Sequence, residues 1–259
     1  MIPVRKASRS CFCLLAGFFL TAPGVQATGS VGPEAAPVID RYVVAMGGRG
    51  SLEKITSVRL SGMIHYPDES RHSITVLKKK PDRIRLSINT GTLRFTQAYD
   101  GEVAWSSTHF KGNSVNRRMG RAEAKRFVRE APLENALIDP LAFGAAVTRG
   151  PDVILAGKPG YQIIAVYPDG SRSVFHIEKE TFFERRIIEY DSTGVFLSEV
   201  IPSRFEKFSG VVFALQIIRR DASGNNLSTL VIDEVETNLG LLNSAFEPPA
   251  SLTPSPEQE

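Results

Sequence analysis

The stretch from Arg41 to Gly62 reads RYVVAMGGRGSLEKITSVRLSG, and a helix, a stop and a strand follow one another within it. The run from Val38 to Met46 reads as a short helix. Gly47-Gly48 ends it, because glycine enters the left-handed backbone that closes a helix at little steric cost. After it, Val58, Leu60 and Ile64 alternate with polar neighbours. That period of two belongs to a strand with one dry and one wet face.

Outward from this stretch the strand pattern repeats. Ile84, Leu86 and Ile88 alternate with Arg83, Arg85 and Ser87. Turn signals separate such runs: Pro67 to Ser70, Asn89 to Gly91, Asp100-Gly101, Pro168 to Gly170, Asp191 to Gly194 and Ser223 to Asn226. The runs number about ten to twelve short strands joined by hairpins, an antiparallel meander. One segment breaks the pattern. From Asn116 to Ala131 the spacing is helical, with Gly120, Ala124, Phe127, Val128 and Ala131 on one face and Arg118, Arg121, Lys125 and Arg129 on another. Pro132 closes it, Leu133 to Phe143 is a second short apolar turn or helix, and strands resume at Asp152. No shift in composition divides the strands, so residues 28–249 read as one domain. The proline-rich end, residues 250–259, reads as an unstructured tail.

The first residues read as an export signal. Arg5, Lys6 and Arg9 precede the apolar stretch Cys11 to Leu20, and Val25-Gln26-Ala27 fits a small-x-small cleavage site, so residues 1–27 are assigned to a signal peptide. Cys11 and Cys13 stand at the start of the apolar stretch rather than just after it, which argues against an N-terminal lipid anchor. Both leave with the signal, and with them any disulfide, zinc–thiolate site or cysteine nucleophile. The whole chain of 259 residues has 31 Lys and Arg against 28 Asp and Glu; three of the basic ones lie in the signal, so the mature part balances at zero. The basic character of the full chain is therefore no sign of nucleic-acid binding. No later segment is long and apolar enough to be a membrane-spanning helix.

RYVVAMGGRGSLEKITSVRLSG, KKPDRIRL, QAYDGEVAW, LAGKPGYQIIAVYPDGSRSVFHIEKETFFERR and the closing FEPP resemble, in this order, the LolA/LolB-like outer-membrane lipoprotein-sorting proteins. The likeness covers most of Val38 to Pro249. One position departs: in RFEKFSGVVFALQI, Ala214 stands where members often carry proline. The resemblance implies a mainly β fold: a single half-open antiparallel barrel of about eleven strands, with an N-terminal helix, a helical lid and an apolar interior for acyl chains. It also implies a periplasmic location.

Enzymatic signatures are missing. There is no nucleophile elbow, phosphate-cradling loop, dinucleotide fingerprint or His-Glu-x-x-His, so neither an enzyme nor a cofactor is expected. The four histidines are His65, His72, His109 and His176. A turn over Pro67 to Ser70 would set His65 opposite His72, but two ligands, with only Asp68 or Glu69 to add, are too few for a tight site, so no metal is expected. Phe95, Tyr99 and Trp105 are the candidate wall of a ligand cavity, with Phe127 and Val128 closing it from the insert. In a half-open barrel the apolar inner face is itself the cavity wall, and each buried methylene of an acyl chain contributes about 0.8 kcal/mol. Arg118, Arg121, Lys125 and Arg129 are either a solvated lid face or a surface for an anionic membrane, a headgroup or an acidic partner. Two functions fit: a carrier or binder of lipid or lipoprotein acyl chains, or a periplasmic sensor that detects them and signals to an inner- or outer-membrane protein. N-terminal sequencing of the periplasmic protein is expected to begin near Thr28; a full-length, membrane-retained product would refute the export reading.

Overall fold

The computed structural model describes residues 29–254. The assigned signal peptide and residues 255–259 lie outside the described residues. The chain opens with β1 (Ser30–Val31), α1 (Ala36–Ala45) and α2 (Arg49–Lys54). Six strands then run as hairpins: β2 (Ser57–His65), β3 (Arg71–Lys79), β4 (Arg83–Asn89), β5 (Leu93–Tyr99), β6 (Ala104–Phe110) and β7 (Asn113–Arg118). Helix α3 (Arg121–Arg129) begins the insert, which ends at β8 (Ala146–Arg149). The second block is β9 (Val153–Leu155), β10 (Lys158–Val166), β11 (Arg172–Glu178), β12 (Glu184–Tyr190), β13 (Phe196–Phe208), β14 (Val211–Arg220) and β15 (Asn226–Thr237).

All fifteen strands belong to one sheet, in the order β1-β8-β10-β11-β12-β13-β14-β15-β2-β3-β4-β5-β6-β7, with β9 beside β10. Every pairing is antiparallel except β1 with β8. The two hairpin blocks are joined where β15 pairs with β2, from Thr229 opposite His65 to Thr237 opposite Val58. Gly62 lies in this seam, beside the bulge between Ile232 and Glu234; a Cβ there would stand 2.0 Å from the Val231 carbonyl oxygen. β1 and β7 do not pair with each other, so the sheet is open. It is also strongly curled. Helix α3, about 14 Å long, reaches Gln97 of β5 through Glu123 and Asp169, in the β10–β11 turn, through Lys125 and Arg129. β11 and β5 are eight strand positions apart. In a flat sheet that is about 38 Å.

Helix α1 lies inside the curl. Val38, Ile39, Tyr42 and Val43 form its buried face and join Val58, Ile163, Ala165, Phe175, Ile177 and Val211 in one apolar cluster. A smaller cluster joins Ile74 and Val76 of β3 and Ile84 of β4 to Ala131 of the insert above them. The glycine stop is built as expected: Gly48 N–H reaches Val43 O (2.8 Å) and Gly47 N–H reaches Val44 O (3.1 Å), the paired bonds of a Schellman cap.

Three expectations are corrected. There are fifteen strands rather than about eleven; β1 and β9, two and three residues long, are too short to show a sequence period. Asn116 to Arg118 is not helical but belongs to β7. Lys111 and Gly112 both take positive φ (47° and 83°) in a two-residue turn that pairs Phe110 with Asn113, and lysine is not a residue that announces such a turn. The assigned tail is ordered through its first residues: Thr253 exchanges backbone bonds with Asn116 and Arg118 and covers part of the β7 edge.

Gly47 has φ +121°, and a Cβ there would lie 2.2 Å from Gly210 O. The crowding atoms belong to the Gly210–Val211 backbone, which cannot swing aside as a side chain would, so Gly47→Ala is expected to cost about 1–3 kcal/mol or more in a urea melt. Gly50→Ala, inside α2 with open space around it, is expected to be neutral or stabilising by about 0.5 kcal/mol. Equal effects would show that the close approach at Gly47 is not limiting.

Candidate functional site

The insert from Gly120 to Ala145 crosses the concave face of the sheet. Its apolar contribution is modest: no residue of α3 is fully buried, and half-buried Phe127 joins Ala131 on the β3–β4 cluster. Polar contacts fasten the rest. Arg117 grips Glu123 with both guanidinium nitrogens (2.7 and 3.0 Å), and Gln97 adds a third bond at 3.3 Å. Lys125 (2.7 Å) and Arg129 (3.0 Å) share Asp169, while Arg129 also donates to Ser171 Oγ and stacks over the Tyr167 ring. Burial opposes ionisation of Asp169, but bonds from Lys125 and Ser171 and the charge of Arg129 hold its carboxyl well below the usual range. Lys78 Nζ donates to Pro132 O (3.1 Å) and Lys80 pairs with Glu134 (2.6 Å).

Between insert and sheet lies a cavity of about 530 Å³. Phe127, Leu133, Phe143, Phe175, Ile187 and Leu197 supply its apolar wall. Charged groups ring it: Lys78, Arg126 and Arg219 with Glu123, Glu130 and Glu189. A second cavity of about 600 Å³ opens on the other side of the insert, toward α2 and Lys80. The two share Pro132, Glu134 and Phe143, so the segment from Pro132 to Phe143 partitions the concave space. That partition is well anchored. Ala136 and Leu137 are fully buried, and Asn135 Nδ2 donates to Tyr42 Oη (2.8 Å) and Glu184 Oε2 (3.3 Å). Tyr42 Oη donates to the same carboxylate at 3.0 Å, tying α1, β12 and the insert together. Burial pushes the Glu184 carboxyl up to about 7, with the Tyr42 hydroxyl pulling the other way.

The sequence-derived site residues divide. Phe127 lines the cavity, whereas Val128 is half-buried and does not. Tyr99 packs on the β3–β4 cluster, and its hydroxyl donates to Gly101 O. Phe95 shares that inner face, opposite Ile88, but stands outside the cavity wall. Trp105 is on the other face. Tyr99 pairs with Ala104, so Trp105 pairs with Ala98, points outward, and its indole N–H donates to Phe246 O (2.9 Å). His65 and His72 fail to meet for the same reason: His72 stands opposite Ile64, and His65 opposite Arg71. Among the described residues no group of three His, Cys, Asp or Glu side chains is placed to hold a metal. The basic stripe is broken up as well. Arg118 is an exposed residue of β7, Arg129 turns inward to Asp169, and Arg121, Lys125 and Arg126 remain exposed along the rim. The cavity residues from the second block, Phe175, Ile187 and Leu197, were not singled out from sequence. Their strands showed alternation, but nothing local marks which alternating face the insert covers.

No family model and no curated protein sequence matches the chain. Solved structures do. The protein is similar to a DUF1329 family protein from Desulfovibrio piger (TM-score 0.57, 14% identity, 82% of this chain and 97% of that one). It is similar to a putative outer membrane lipoprotein-sorting protein domain from Vibrio parahaemolyticus (TM-score 0.55, 11% identity, 81% and 94%). A LolA superfamily protein from Nitrosomonas europaea matches at TM-score 0.54 and 16% identity over 82% and 97% of the two chains. At these identities the likeness is one of fold: the chain has the fold of the LolA-like lipoprotein-sorting proteins.

Glu184 makes stability depend on pH. Its carboxyl is raised from 4.5 to about 7, so folding takes up a proton between those values. The contribution of Glu184 to stability is fully present below that window and is lost as pH rises through it. Urea midpoints of the wild type are expected to decline between about pH 5 and pH 8, and Glu184→Gln should flatten that decline. Identical pH profiles for the two proteins would show that Glu184 is ionised normally.

Proposed function

We propose that this protein is a periplasmic binder of acyl chains, which it receives from a lipid or a lipoprotein in the cavity under the insert, and that it acts as a carrier rather than as a catalyst. The observation that carries the reading is the cavity itself, an apolar wall on the concave face of an open, curled sheet, covered by a helix without one fully buried residue. The fold's likeness to lipoprotein-sorting proteins supports it.

Magnitudes favour an insert that yields to a ligand. Part-exposed ion pairs such as Lys125 with Asp169 contribute about 0–1 kcal/mol each. Burying about ten methylenes contributes about 8 kcal/mol. An acyl chain therefore outweighs the contacts that hold α3, while the buried partition at Ala136 and Leu137 stays in place as the cavity floor. The sheet is not closed between β1 and β7, which leaves the concave side room to admit a chain. Arg121, Lys125 and Arg126 at the rim are the reading's surface for anionic headgroups or an acidic partner, a narrower set than the full helical stripe.

Native mass spectrometry of the mature protein from its own periplasm is expected to show an acylated molecule bound. Phe127→Ser is expected to leave the fold intact and weaken a fluorescent fatty-acid probe about tenfold, the effect of taking one aromatic ring out of an apolar wall. Absence of any acylated species, together with unchanged probe affinity in the variant, would overturn the proposal.

A further inference from the structure

The outer face of β4 to β7 is built quite differently from the inner one. Cross-strand pairing sets Arg85, Ala98 and Trp105 in one row, Ser87, Thr96 and Ser107 in the next, and Asn89, Arg94 and His109 in a third. Such rows share one face of the sheet. The chain after β15 returns across them. Arg85 donates to Ala245 O (2.8 Å), the Trp105 indole to Phe246 O (2.9 Å) and Asn116 Nδ2 to Ser251 Oγ (2.8 Å), and Thr253 ends the crossing on β7. Beside this strap the rows and the returning chain line an open pocket of about 350 Å³, whose lining includes Arg85, Arg94, Thr96, Trp105, Ser107 and Glu247.

Its chemistry is that of an anion site. Among the described residues neither Arg85 nor Arg94 has a carboxylate within ion-pair distance, although both line one small cavity. Their charges oppose each other: burial and then Arg94 push the Arg85 guanidinium down. Glu247 lines the same space without pairing to either. Two unneutralised forks beside hydroxyl groups suit a multiply charged oxyanion, since guanidinium meets phosphate oxygens in a bidentate fashion and hydroxyls supply the remaining donors. The size, at the low end for ligand sites, suits a small polar group rather than an acyl chain.

We infer that this cavity binds a phosphate group, gripped by Arg85 and Arg94 and bonded by the Ser107 hydroxyl, on the face of the sheet opposite the acyl cavity. The phosphate comes either from a soluble phosphate monoester or from a lipid headgroup. The site stands independently of the acyl-chain reading, because no lining residue is common to the two cavities.

Trp105, the chain's sole tryptophan, lines the site and reports on it. Mature protein is titrated with inorganic phosphate and with glycerol 3-phosphate, at ionic strength held constant with chloride, while its emission is followed. A saturable change is expected. Arg94→Gln should weaken binding about tenfold, the loss of one charged hydrogen-bond partner. Its melting temperature should not move, since Arg94 is exposed and keeps no ion pair. Glu247→Gln should tighten binding severalfold by removing the competing charge. Flotation with phosphatidylglycerol vesicles, against phosphatidylcholine vesicles as reference, identifies the source: retention lost in Arg94→Gln assigns a lipid headgroup, and binding of soluble esters alone assigns a metabolite. If chloride produces the same response as phosphate, or if Arg94→Gln binds phosphate as the wild type does in both assays, the inference fails.

Discussion

A nine-residue helix touches two parts of one sheet that lie eight strand positions apart. That span measures the curl of the sheet, the constraint on which the rest of the protein depends. Glu123 is bound to β5 and Lys125 and Arg129 to the β10–β11 turn, so the sheet must bring those strands within one short helix of each other. A flat sheet would hold them about 38 Å apart. Curling gives the sheet a concave inside and a convex outside, and the period of two along every strand then sorts side chains between them.

The inside is divided between structure and site. At one end α1 fills the curl, and its apolar face makes the main core with β2, β10, β11 and β14. At the other, the insert covers the sheet loosely and leaves the cavity open beneath it. Tyr42, Asn135 and Glu184 join the two ends where helix, insert and β12 meet. A raised carboxyl at that junction means that the anchor is most comfortable neutral, donating or sharing a proton within a small hydrogen-bonded cluster. By contrast the ion pairs around α3 are partly exposed and individually weak. Local stability therefore falls from α1 through the partition to α3, the order needed if the outermost part of the insert is to move.

The outside is polar where the strap crosses it and has its own character. Arginines, hydroxyls and one indole gather there because strand register aligns them, not because they are near in sequence. Half-buried Arg85 is pushed down by burial and by the charge of Arg94 and has no carboxylate within ion-pair distance, which is the physical ground for expecting an anion there.

Much of the fold was legible in the chain. Alternation in β2 and β4 marked strands, Gly47-Gly48 marked the end of α1, and the helical spacing around Phe127 marked an insert between two blocks of strands. These signals are local, set by backbone preference and by the period of each element, so they survive without tertiary context. What the sequence could not decide was which face each residue takes and what stands opposite it. A turn one residue longer or shorter reverses the face of every following side chain. Tyr99 and Trp105 look like partners by spacing, yet the four-residue connection from Asp100 to Val103 turns them to opposite sides; His65 and His72 part in the same way. The Lys111-Gly112 turn made a strand of residues with helical spacing, and Asp169, forty residues from Arg129, drew a basic residue inward from a surface that local pattern alone leaves in water. Register, curvature and long-range charge pairing are properties of the assembled sheet, and only the tertiary structure fixes them.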